Sequence, residues 1–156
     1  MISANIILDN QIWKRKIKTP STFFNKIIKV FPIKYQFNGK KVSLTVLLSE
    51  NKHIKKLNKK FRNKDKPTDI LSFPFNKRLK SNKIFYLGDI IISYQYMNKK
   101  KSLTIIEFKK KLIKIFIHGF LHLLNYDHKK LKDFKVMKKE ELRIYNLVSK
   151  KIDQII

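Results

Sequence analysis

Apolar residues recur along the chain with two different periods, and the changes of period mark its elements. Residues 4–8, with Ile6, Ile7 and Leu8, read as a short strand. Residues 21–31 carry apolar side chains at helical spacing, beginning after Pro20 and stopping at Pro32. Val42, Leu44, Val46 and Leu48 alternate with mostly polar neighbours, as in a half-buried strand. Ser49 is then placed to cap a helix whose apolar stripe is Ile54, Leu57 and Phe61. His53 lies one residue off that stripe, is expected to be exposed, and is given no role. Ile70 to Phe75 and Ile84 to Ser93 are strand-like, and the polar run Asn76 to Lys83 between them predicts an antiparallel hairpin with a long loop. Thr104 and Glu107 have the spacing of a capping box and open a long helix. A last helix, from about Leu131 to Lys151, is expected to pack Phe134, Met137, Leu142, Tyr145 and Val148, with Met137 as core filler. The order of elements predicts an α+β (mixed α/β) domain, with about four strands in a mixed sheet packed by helices.

Composition narrows the class. At 156 residues one domain can bury a core without staples, and the absence of cysteine suits a reducing compartment. No run reaches the roughly 18 apolar residues of a membrane span. The N-terminus lacks a basic n-region and is interrupted by Asp9, so a secretory signal is not expected and the cytoplasm is. The net charge of +26 points to a polyanionic partner, RNA or DNA. Only four of the 37 basic residues are arginines, however, and Ile, Asn and Phe are abundant beside a single alanine, Ala4. A/T-rich codons favour all of these, and the lysines spread along the whole chain, so codon drift accounts for part of the charge.

The chemistry concentrates in His118-Gly-Phe-Leu-His122-Leu-Leu-Asn-Tyr-Asp-His128. Two histidines four apart project from one face of a helix, one turn above the other. The third follows Asn125 and returns to the same point if the chain turns there. Ile115, Phe116, Ile117, Phe120, Leu121, Leu123 and Leu124 make this end of the helix apolar, hence buried. Two unpaired imidazoles in such a place would cost about 1–3 kcal/mol each, a conflict that a shared metal removes. Three histidines and an open position describe a catalytic zinc site, whereas structural sites close with four ligands, often cysteines. One metal ion per chain is therefore expected, held by His118, His122 and His128 at the end of a buried helix: zinc, or nickel, copper or iron, which three imidazoles also suit.

The same spacing is found in the metzincin proteases, with two departures. Asn125 stands in place of a turn-forming glycine; asparagine is the next best residue in the left-handed conformation. Gly119 stands where those proteases carry the glutamate that acts as general base. A metal-dependent hydrolase is supported, and a peptidase is not.

A second constellation precedes the histidines. Residues 57–73 read Leu-Asn-Lys-Lys-Phe-Arg-Asn-Lys-Asp-Lys-Pro-Thr-Asp-Ile-Leu-Ser-Phe, and 87–90 read Leu-Gly-Asp-Ile. Arg62 stands against the lysine bias, which suggests a need for its planar, bidentate fork on phosphate or carboxylate. Thr68 and Asp69 suit a turn after Pro67 as well as they suit a cleft, and Asp89 beside Gly88 is either a turn acceptor or a cleft residue.

Taken together and in this order, the stretch from Leu57 to Pro74, Leu-Gly-Asp-Ile at 87–90 and the histidine motif resemble the YbeY family of ribosomal RNA maturation factors. The similarity runs from about residue 42 to 148, with the first 40 residues alike only in layout, and Asn125 replaces the family's glycine. The resemblance implies a metal-dependent, single-strand-selective endoribonuclease, acting in small-subunit (16S) rRNA 3′-end maturation and ribosome quality control. It places the family's metal-binding histidines on His118, His122 and His128, its functionally important arginine on Arg62, and usually assigns zinc. His118 and Arg62 are the expected catalytic residues. Asp127, which could orient an imidazole or cap its own turn, Asp69 and Ser72 are the further cleft candidates. Metal-bound hydroxide, Asp127, Asp69 and the RNA's 2′-hydroxyl all stand as candidate proton acceptors. The resemblance makes single-stranded RNA, small-subunit rRNA above all, the expected partner and DNA not, with ribosomal or ribosome-assembly proteins as further candidates. The alternatives are a non-catalytic ribosome-assembly factor with a structural zinc, and a metal-dependent hydrolase of another substrate.

Overall fold

The computed structural model of the chain describes residues 1–75, 84–100 and 103–156. Four strands, β1 (Ile2–Leu8), β2 (Lys41–Ser49), β3 (Ile70–Pro74) and β4 (Ile84–Ser93), form one sheet in the order β1-β2-β4-β3. The β1–β2 and β2–β4 pairs are parallel and the β3–β4 pair is antiparallel, so the sheet is mixed. Six helices accompany it among the described residues: α1 (Pro20–Lys29), α2 (Asn51–Arg62), α3 (Tyr94–Met97), α4 (Ile105–Leu123), α5 (Leu131–Ser149) and α6 (Ile152–Ile155).

The expected hairpin is present: Ile70 pairs with Ile92 and Pro74 with Gly88. The polar run between its strands lies outside the described residues. The unbroken Ile90-Ile91-Ile92 of β4 is explained by helices on both faces of the sheet. Ile90 and Ile92 point into the main core, with Phe24, Ile27 and Ile28 of α1 and Leu112, Phe116 and Phe120 of α4. Ile91 points the other way, onto Ile54 of α2 and Leu71 of β3. α4, the helix that carries two of the histidines, is therefore walled in by the sheet, α1 and α5. That is why it is apolar around most of its circumference.

The Thr104–Glu107 capping box forms as expected: the Thr104 hydroxyl accepts from the Glu107 N–H at 3.2 Å, and Glu107 accepts from the Thr104 N–H at 2.8 Å. Other elements differ from the sequence expectation. β1 begins at Ile2, and α1 starts on Pro20 itself, as proline's fixed φ and missing N–H allow in the first turn, and ends at Lys29. Ser49 does not cap α2. Glu50 occupies that position without a side-chain bond, while Ser49 is buried and donates to Asp9 Oδ2 at 2.6 Å. His53 joins the same group, with Nδ1 3.0 Å from Asp9 Oδ2, so it ties the end of β1 to the start of α2. The Ser49 hydroxyl, then the His53 ring, hold the Asp9 carboxyl below its ordinary value. Phe61, Phe134 and Leu142 are exposed rather than packed, whereas Met137, Ile144 and Val148 form the buried stripe of α5.

Candidate metal centre

His118 and His122 stand one turn apart near the end of α4, on the side that meets α5. The helix then stops in a Schellman motif: the Tyr126 N–H donates to Leu121 O and the Asn125 N–H to His122 O, both at 3.0 Å. Asn125 supplies the left-handed residue, with φ 64°. The turn brings His128 back beside the helix. The ring centroids of His118, His122 and His128 lie 4.6, 5.0 and 5.4 Å apart, and one ligand atom from each falls within 4.8 Å of the others.

The protonation of two rings follows from their partners. His122 Nδ1 is 2.9 Å from the Tyr126 carbonyl oxygen, which only accepts, so the proton is on Nδ1. His118 Nδ1 is 2.6 Å from Glu141 Oε1, and a carboxylate likewise takes the proton side of the ring. With both rings neutral, each presents an Nε2 lone pair, and these two atoms face each other at 3.0 Å. Two acceptors in contact repel; a cation between them and His128 resolves the conflict. Burial, and then the neighbouring His118, push the His122 pKa down, which keeps the ring neutral and able to ligate. The residues thus fit a metal ion, which the three imidazoles could hold.

Glu141 was not anticipated. Burial raises its carboxyl, but the His118 hydrogen bond and charge, with Lys138 behind them, bring it below the ordinary glutamate value. Its position was nevertheless readable. Met137, Glu141, Ile144 and Val148 follow the 4-3-4 spacing of one helical stripe, and a charge on a buried stripe requires a partner. Asp127 turns its Oδ1 to the backbone N–H of His128 at 2.7 Å and so braces the turn.

Gly119 explains the missing protease glutamate. A Cβ there would come within 2.5 Å of Ile70 Cδ1 and 3.0 Å of Ser72 Oγ, because α4 lies directly on β3. A carboxylate at this position would enter the core beneath the sheet. Ser72 accordingly sits against the histidine helix. Asp69 serves its own turn, with Oδ1 accepting from the Thr68 hydroxyl and the Ile70 N–H. Arg62 lies at the end of α2 and lines a pocket with Lys64, Lys66, Thr68, Tyr96 and Lys99, whereas the hollow beside His118 and His128 is lined by Phe134, Met137, Lys138 and Glu141. The three histidines come together; Arg62 stands in a hollow of its own.

The family described as Endoribonuclease YbeY matches residues 7–149. A Pelagibacter ubique protein named Endoribonuclease YbeY is 60% identical over 152 residues, covering 97% of this chain and 99% of its own. An Ehrlichia chaffeensis protein of the same name is 33% identical over 144 residues, covering 92% and 90%. The solution structure of TM1509 from Thermotoga maritima superposes with a TM-score of 0.56 at 25% identity, over 99% of this chain and 93% of the other. The match extends well before the motifs, into the first strand, and the chain belongs to the YbeY family.

Proposed function

We propose that the chain is a zinc-dependent endoribonuclease that cuts single-stranded RNA, acting in the cytoplasm on the 3′ end of small-subunit rRNA during maturation and quality control. The observation that carries the metal part is the facing pair of Nε2 lone pairs on His118 and His122, with His128 beside them. The RNA part is supported by the name borne by its relatives, together with a charge of +26. His118, His122 and His128 would hold the ion, and three ligands leave a position for substrate, unlike a closed structural site. Zinc in such a set supplies Lewis acidity and acidifies water at neutral pH.

The chain's own groups prepare the site. Glu141 and the Tyr126 carbonyl hold the His118 and His122 protons on Nδ1, which aims each Nε2 inward. Phe134, about half exposed, and Lys138 border the hollow beside His118, where an aromatic face and an ammonium suit a base and a phosphate. Arg62 contributes charge to the phosphodiester during cleavage.

Two expectations follow. Glu141→Ala leaves the His118 N–H without its acceptor and should weaken zinc binding by about 10- to 100-fold. Competition against a chromophoric chelator measures this, and unchanged affinity would remove Glu141 from the site. Arg62→Glu should depress cleavage of single-stranded RNA while leaving fold and zinc content intact; unaltered cleavage would take Arg62 out of the reaction. Purified protein assayed on single-stranded RNA with and without chelator tests the whole reading. Zinc bound without any cleavage would favour an assembly factor that holds rRNA.

A further inference from the structure

The turn that carries His128 is tied to the body of the protein through Tyr126. Between Leu124 and Leu131 it is the side chain that packs against the main core, while Asn125, His128, Lys129 and Lys130 are exposed and Asp127 bonds within the turn. Tyr126 also serves the metal centre directly, because its carbonyl accepts the His122 Nδ1 proton at 2.9 Å. Whatever fixes Tyr126 therefore fixes the His122 ring and the start of the segment that returns His128. Its phenol is held from elsewhere in the chain. The Tyr126 and Tyr35 hydroxyl oxygens lie 3.2 Å apart, and the Tyr35 hydroxyl lies 2.8 Å from Glu140 Oε2. A carboxylate only accepts, so the single Tyr35 proton goes to Glu140, and Tyr126 must donate to Tyr35. The Lys34 ammonium, 2.7 Å from the same Oε2, keeps that acceptor charged.

Every proton in the run Tyr126–Tyr35–Glu140 thus has one direction, and a polar network satisfied in this way is rigid. Tyr35, 4% exposed, sits at its centre. It comes from the single turn Ile33–Tyr35 after α1, and its ring meets Phe120, midway between the two histidines of α4, edge-on at 5.6 Å. α5 accordingly braces both imidazoles from adjacent positions: Glu141 bonds His118, and Glu140 reaches His122 by way of two phenols and a carbonyl. Glu140 alone would satisfy a buried Tyr35 hydroxyl. The second bond joins Tyr35 to the residue that holds His122. We infer that Tyr35 is a positioning residue for the metal centre, acting through the Tyr126 phenol to hold the His122 ring in its ligating orientation. This role rests on the metal reading above, and it falls to a part of the chain that carries none of the motifs.

The test is Tyr35→Phe in the full chain, which keeps the ring on Phe120 and removes only the hydroxyl. Zinc affinity, read by competition against a chromophoric chelator, should fall by about 3- to 10-fold, less than the roughly 10- to 100-fold of a group that touches a ligand. Tyr126→Phe should lose as much, and the double variant no more than either, because each removes the same bond. Tyr86→Phe deletes a phenol bonded to Thr45 and Asp89 at 2.7 and 2.6 Å, and as the control it should bind zinc as the parent does. A second readout needs no metal. In chelator, with isotope-labelled histidine, the His122 Nδ1 proton should give a slowly exchanging NMR signal in the parent that Tyr35→Phe loses. Parental zinc affinity or a parental ring signal in Tyr35→Phe would overturn the role of Tyr35. So would zinc losses that multiply in the double variant, or an equal loss in Tyr86→Phe. Melting temperatures confirm that each variant is folded. A parent protein that binds no zinc would refute the metal reading instead, and the ring signal would then decide the role of Tyr35 separately.

Discussion

His122→Ala is expected to abolish both zinc retention and RNA cleavage. His122 is held at both ring nitrogens: its Nδ1 proton is committed to Tyr126 O, its Nε2 faces that of His118, and it is flanked by His118 and His128 alike. Removing it takes one of three donors, when groups that merely stand behind ligands are worth about 10- to 100-fold in affinity. A loss on the order of 100-fold or more follows, enough to leave the purified variant without metal. The variant should remain folded, because the ring is only partly buried and the neighbouring core residues Leu121 and Leu123 are untouched. Elemental analysis beside the parent, with circular dichroism as the check on folding, decides the matter. A folded variant with one zinc per chain would refute ligation by His122, whatever its activity.

Gly88→Ala should be the most destabilising of the three possible glycine-to-alanine changes. Gly88 has φ 134°, a conformation that side-chain-bearing residues rarely adopt. A Cβ there would overlap the carbonyl oxygen of Phe73 on the paired strand and meet the Phe75 nitrogen at 3.0 Å. Both obstacles are backbone atoms held by the β3–β4 ladder, so no rotamer change relieves them. Strain at such a φ costs about 1–3 kcal/mol. Overpacking costs a similar amount, so a loss of about 3–5 kcal/mol is expected by chemical denaturation. Gly119→Ala makes a useful contrast. Its Cβ meets the ends of the Ile70 and Ser72 side chains, which can shift, and its helical backbone is unstrained, so a smaller loss of about 1–3 kcal/mol is expected. A Gly88 variant within about 1 kcal/mol of the parent would show that the strand pair relaxes around the methyl group.

The two glycines show how far a sequence can be read. Their rarity in a lysine- and isoleucine-rich chain draws attention to them, but the reason each is glycine lies in an element distant along the chain. Gly88 is set by Phe73 and Gly119 by Ile70, through strand pairing in one case and helix-on-sheet packing in the other. Glu141 is the same lesson in the site: it meets His118 from another helix, 23 residues away, so no motif window contains both.

What the sequence determined by itself is what local physics encodes. The alternation of Val42 to Leu48, the capping box at Thr104, the left-handed turn at Asn125 and the one-turn spacing of His118 and His122 all concern residues within a turn or two of one another. Their energetics do not wait for the rest of the chain, and the structure has each of them as expected. The tertiary structure alone decided which faces are covered. It buried Ser49 against Asp9, left Phe61, Phe134 and Leu142 exposed, set Arg62 among Lys99 and Tyr96, and brought Glu141 to His118. An amphipathic pattern states that a face must be buried, but the depth of burial and the partner depend on what arrives from elsewhere. For polar side chains that difference is decisive, because a hydroxyl or carboxylate takes its role from the nearest donor or acceptor, which only the fold supplies.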